Sequence, residues 1–120
     1  NLRDSRAATT WLFRAVEECP TVREPYLAFA RLAYGEKNWP LVYTMVRSAL
    51  SITRKSGSYL TEPECWGAEP YDLGAVSAYY LGLYEKAQNL AEKACEMRPA
   101  DERLKSNLEL IRRKVQEQAD

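Results

Sequence analysis

Apolar residues recur every three to four positions along most of the chain, the spacing of an amphipathic helix. Over 5–18, Ala8, Leu12, Ala15 and Val16 share a face, and Pro20 ends the run. Over 25–34, Tyr26, Phe29, Ala30 and Ala33 point one way, between Pro25 and Gly35. Over 39–54 the stripe is Val42, Tyr43, Val46, Ala49 and Leu50, opened by Trp39-Pro40. Over 71–81 it is Tyr71, Ala75, Ala78 and Tyr79, closed by Gly82; over 84–97 it is Ala87, Leu90, Ala91, Ala94 and Cys95, closed before Pro99. Over 101–117, Leu104, Leu108, Ile111 and Val115 form one narrow stripe behind an Asp101 cap. Proline is tolerated in a helix's first turn, where its missing N–H is unpaired anyway, and glycine or proline marks the end. The pattern predicts an all-α chain of six antiparallel helices: 5–18, 25–34, 39–54, 71–81, 84–97 and 101–117.

Residues 55–70 break the pattern. Gly57, Pro63, Gly67 and Pro70 punctuate them, so they read as a loop with one short turn near 64–66. Around this loop the sequence repeats itself. Glu24-Pro25-Tyr26 returns as Glu69-Pro70-Tyr71, and Trp39 and Tyr84 each open a following helix. Ala15 and Ala49 are 34 positions apart, Ala49 and Ala94 are 45 apart, and the extra 11 residues fall in the loop. Small residues on both helices of the last full pair (Gly74, Ala75, Ala78; Ala87, Ala91, Ala94) let two backbones come close.

A helix–turn–helix period of 34 residues resembles the tetratricopeptide repeat. Tyr71, Ala75, Gly82, Tyr84, Ala87, Ala94 and Pro99 stand where that family places its aromatic, small and terminal proline residues. Val42 and Arg54 depart from it, so the earlier copy is degenerate. The resemblance implies a right-handed α-solenoid with an 11-residue insertion before the last full hairpin, spanning 1–120 as one domain. The stretches Glu62-Pro63-Glu64, Trp66-Gly67, Pro70-Tyr71-Asp72, 78–85 and 101–104 are similar to the tetratricopeptide region that follows the catalytic domain in some bacterial family-2 glycosyltransferases. On that resemblance the chain is the C-terminal part of a longer protein. The sugar chemistry would lie upstream, since no Asp-x-Asp metal motif is present here.

Composition narrows the function. Lys plus Arg and Asp plus Glu are 17 each, against a general nucleic-acid binder or an anionic-membrane binder. No apolar run reaches the length of a membrane span. There is no histidine, which removes the commonest metal ligand and general base. Cys19, Cys65 and Cys95 are odd in number and widely spaced, which fits reduced thiols in a cytoplasmic protein rather than a zinc site or disulfides. Neither a cofactor, a metal nor a catalytic constellation is expected.

The concave groove that the resemblance implies would be lined by the first helix of each pair: Glu24, Leu27, Arg31 and Tyr34; Glu69, Asp72, Val76 and Tyr79; Arg103, Ser106 and Leu110. The family's carboxylate-clamp positions hold Leu27, Ala28, Arg31, Glu24, Asp72, Leu73, Val76 and Glu69, with one basic residue among them. An acidic wall of this kind repels a peptide carboxylate and suits a basic or neutral ligand, unless the charges are simply solvated. In the insertion, Trp66 either anchors a partner or folds onto its own hairpins, and packing is favoured for a large aromatic. Glu62 and Glu64 beside it lack calcium-loop spacing. Trp11, Leu12, Phe13 and Val16 exceed what one neighbouring hairpin can cover. They predict an N-terminal patch that meets an upstream domain or a second copy. The expectation is a non-catalytic interaction module, attached to a glycosyltransferase, that positions a partner or acceptor or mediates dimerisation. The alternative is a free-standing adaptor that binds a peptide in its groove.

Overall fold

The prolines and the residues able to turn left-handed decide where the helices begin and end. The computed structural model describes Thr10, Arg14, Glu17, residues 22–53 and residues 63–119. These contain helices α1 Glu24–Gly35, α2 Trp39–Leu50, α3 Glu69–Tyr80, α4 Tyr84–Met97 and α5 Glu102–Ala119, with a 3-10 turn at Pro63–Trp66 before α3. No strand occurs among the described residues, and the chain is all-α. The helix expected over 5–18 lies outside the described residues except for Thr10, Arg14 and Glu17, which are helical and exposed.

The helix bounds differ from expectation for local reasons. Pro25 and Pro70 occupy the second position of α1 and α3, not the first, so both helices start earlier. Asp101 caps α5 as expected: its Oδ1 accepts the N–H groups of Arg103 and Leu104 at 3.0 and 3.2 Å. Helix α2 stops at Leu50, short of the expected 54. There the Ser51 hydroxyl donates to the Ser48 carbonyl at 2.6 Å, a local bond that competes with helix continuation. The Ile52 carbonyl turns away to accept a bond from Arg23.

Two turns share a set of three backbone hydrogen bonds. In the turn after α1, Glu36, Lys37 and Asn38 donate to Leu32, Tyr34 and Ala33; in the turn after α3, Leu81, Gly82 and Leu83 donate to Ser77, Tyr79 and Ala78. Each member of the second set lies 45 positions after its counterpart. The central residue is left-handed in both, Lys37 at φ 58° and Gly82 at φ 79°. Such a turn closes a helix by satisfying its last carbonyls. Gly35, expected to be the stop, is instead the last helical residue, and a lysine carries the strained position two residues later.

Consecutive helices pack on one another, α1 on α2, α2 on α3, α3 on α4 and α4 on α5. Helix α3 also touches α1 and the 3-10 turn. One core cluster joins Leu27, Ala30, Ala33, Val42, Val46, Ala49 and Cys65. A second joins Ala75, Ala78, Ala87, Ala91, Leu108 and Ile111. Full burial of residues such as Leu27, Phe29, Val42 and Val46 contributes about 1.5–3 kcal/mol each. The alanines contribute less but allow close approach. Gly74 is the tightest point: a Cβ there would stand 3.0 Å from both Val46 Cγ1 and Leu90 Cδ1.

Candidate functional site

Helices α1, α3 and α5 carry the residues expected to line a groove, and four of the charged ones form pairs between helices. Arg31 of α1 forms an ion pair with Glu69 of α3, its Nε donating to Oε1 at 2.8 Å. Arg103 of α5 donates from Nη1 and Nη2 to the two carboxylate oxygens of Asp72 on α3, at 3.2 and 2.6 Å. That bond holds the Arg103 guanidinium above its ordinary pKa. The acidic wall expected from sequence is therefore compensated: each α3 carboxylate has an arginine from a neighbouring helix. Leu27 does not line the face. It is fully buried in the first core cluster, because this turn of α1 packs inward where α3 carries Asp72. Glu24 is partly buried, and its Oε1 is enclosed with no hydrogen-bond partner.

Between α3 and α5 lies a shallow pocket of about 100 Å³ lined by Val76, Tyr79, Tyr80, Asn107, Leu110 and Ile111. Val76, Tyr79 and Leu110 were expected there. Tyr80 and Asn107 were not, although Arg103, Asn107, Leu110 and Ile111 follow helical spacing on α5 and signalled a common face. Sites for drug-sized ligands occupy about 300–1,000 Å³, so this pocket has room for a side chain rather than a cofactor. Ser106 is exposed near it on α5.

The pocket continues into a run of aromatic rings. Tyr80 stacks on Trp39 with centroids 4.5 Å apart and planes 9° from parallel. Tyr34 meets Trp39 edge-on at 5.3 Å, and Tyr79 meets both Tyr80 and Tyr84 at 5.6 Å. The rings come from the ends of α1 and α3 and the starts of α2 and α4, which the two equivalent turns bring together. Tyr80 remains 61% exposed, Leu110 49% and Tyr34 37%, so the run ends in an open apolar surface beside the pocket.

The insertion is anchored elsewhere. Arg23, 6% exposed, donates from Nε to the Ile52 carbonyl at 2.9 Å and from Nη1 to the Cys65 carbonyl at 3.0 Å. Its guanidinium lies 3.9 Å from the centre of the Trp66 ring. Burial pulls its pKa down, opposed by Tyr71, Cys65 and Glu24. Trp66 is half-buried against the first core cluster. Sequence reading missed Arg23 because its partners are 29 and 42 residues away. Glu64 is exposed on the 3-10 turn, at the edge of an open depression with Met97 and Arg98. Glu62 and the patch Trp11, Leu12, Phe13 and Val16 lie outside the described residues. Cys65 is buried; Cys95 is half-buried, and burial pushes its thiol pKa up.

Among the described residues no three Cys, Asp or Glu side chains gather as metal ligands would, and no helix is long and apolar enough to cross a membrane. What the α3–α5 face offers chemically is apolar burial, ring faces and an amide. No family model matches the chain, and no curated protein matches it.

Proposed function

We propose that this chain is a tetratricopeptide-like, non-catalytic interaction module, and that it holds a partner segment on the face between α3 and α5. The observation that carries the reading is the α3–α5 pocket continuous with the exposed rings of Tyr80 and Tyr34. Exposed aromatic and aliphatic residues around a small pocket form the usual anchor for a partner side chain. The solenoid assignment rests on the 34-residue sequence period and is supported by the two hydrogen-bond-equivalent turns. The proposed context is the tetratricopeptide region of a bacterial glycosyltransferase, where the face would position a partner or acceptor. That context rests on the sequence resemblance.

Selection from a random peptide library displayed on phage tests the binding claim. Selected peptides should bind the wild-type chain and lose most of their affinity for Tyr80→Ala and Leu110→Asp, both at exposed positions, with the circular dichroism spectrum of each variant expected to match wild type. Peptides that bind both variants as well as wild type would place the docking surface elsewhere. Hydrolysis of a nucleotide sugar by the purified chain would contradict the non-catalytic claim. A free-standing adaptor is the second reading, favoured by the same pocket. The two are separated by whether sugar transfer by the natural full-length product depends on Tyr80.

A further inference from the structure

The helices and the 3-10 turn are held in place by different means. Each helix buries several side chains against its neighbours. Of the four residues in the turn, Cys65 is buried, Trp66 is half-buried, and Pro63 and Glu64 are exposed. Two arginines grip the turn. Arg23 donates to the Cys65 carbonyl at 3.0 Å and lies 3.9 Å from the centre of the Trp66 ring. Arg31 brings Nη2 to 4.0 Å from the Cys65 sulfur while paired with Glu69. A bond from a side chain to a carbonyl can break without breaking a helical ladder. When the turn swings out, the Arg23 guanidinium regains water and Arg31 keeps Glu69. The rest of the first core cluster (Leu27, Ala30, Ala33, Val42, Val46 and Ala49) belongs to α1 and α2 and stays packed. Segments with little buried apolar surface open at a lower free energy than the whole domain.

We propose that the Pro63–Trp66 turn is a latch that opens as a unit of its own, with Arg23 as its catch, and that opening uncovers the Cys65 thiol while the five helices stay packed. The test follows modification of Cys65 in the full chain by N-ethylmaleimide, read by mass spectrometry of the peptide that contains it. The reagent is kept dilute enough that modification is slower than reclosing, so the rate tracks the open population. Three readings decide. In the wild-type chain the rate should rise with urea less steeply than global unfolding does; an equal slope would mean that Cys65 is reached only by unfolding the whole chain, and would overturn the proposal. Arg23→Met should speed modification by about tenfold or more, since it removes a charge-assisted bond and the ring contact; an unchanged rate would overturn the role of Arg23. Gly82→Ala lies in the turn after α3 and strains the backbone there whether the latch is open or shut. It should raise the globally unfolded population by about fivefold and leave Cys65 modification unchanged. A matching fivefold acceleration would overturn the separate opening, and this reading stands even if Arg23→Met does not fold.

Discussion

Arg23 sits in a buried environment that a charged residue does not favour, and Lys37 in a left-handed conformation that a non-glycine residue does not favour. Arg23 buries a guanidinium and offsets that cost with two carbonyl bonds and the Trp66 ring. Replacing it with Met leaves the Ile52 and Cys65 carbonyls without their donor. We predict a loss of about 2–4 kcal/mol in urea-induced unfolding, since bonds from a charged group are worth about 1.5–3 kcal/mol each. Lys should not restore it, because an ammonium cannot reproduce the planar fork. Burial lowers the Arg23 pKa, but a guanidinium stays charged at ordinary pH, so no stability change with pH is expected from it. Lys37 sits at positive φ, which costs an L-residue about 1–2 kcal/mol. Lys37→Gly should therefore stabilise the chain by about 0.5–1 kcal/mol in the same assay, after glycine's larger unfolded-state entropy is counted. Gly82→Ala should destabilise it by about 1 kcal/mol, through φ alone, because a Cβ there meets nothing within 4 Å.

At the scale of the helices, α3 is the element the others are fitted to. It packs on α2 and α4, touches α1, and bonds to α5 through Asp72. The fit closes at Gly74, where a side chain would press on Val46 and Leu90. Gly74→Val should cost about 1–3 kcal/mol by overpacking, read as a lower unfolding midpoint with unchanged denaturant slope. A double-mutant cycle on Asp72 and Arg103 should give a coupling of only about 0.2–1 kcal/mol, reduced by salt, because Arg103 is more than half exposed. The five described helices were legible in the sequence because apolar spacing and proline placement are local. Their ends were less so. Gly35 looked like a stop because glycine usually is one, yet the left-handed position fell on Lys37. The pocket between α3 and α5 was legible in part. Val76, Tyr79 and Leu110 follow from helix faces, but Leu27 was placed by repeat position alone, and its turn of α1 faces the core. Tyr80 was not foreseen because its stacking on Trp39 exists only once two equivalent turns are side by side.

At the scale of the whole molecule, a chain with equal numbers of acidic and basic residues ties α1 to α3 and α3 to α5 by one arginine–carboxylate pair each, Arg31–Glu69 and Arg103–Asp72. Beside those pairs, Tyr80, Leu110 and Tyr34 leave exposed apolar and aromatic surface, the feature on which the docking proposal stands. The most direct measurement is an amide and side-chain chemical-shift map of the chain with a tight library-selected peptide. Shifts should concentrate on the α3–α5 face, at Val76, Tyr80, Asn107 and Leu110, and at the Trp39 indole. Shifts confined to the outward positions of α4, such as Lys86, Asn89 and Lys93, with the Trp39 indole unmoved, would contradict it.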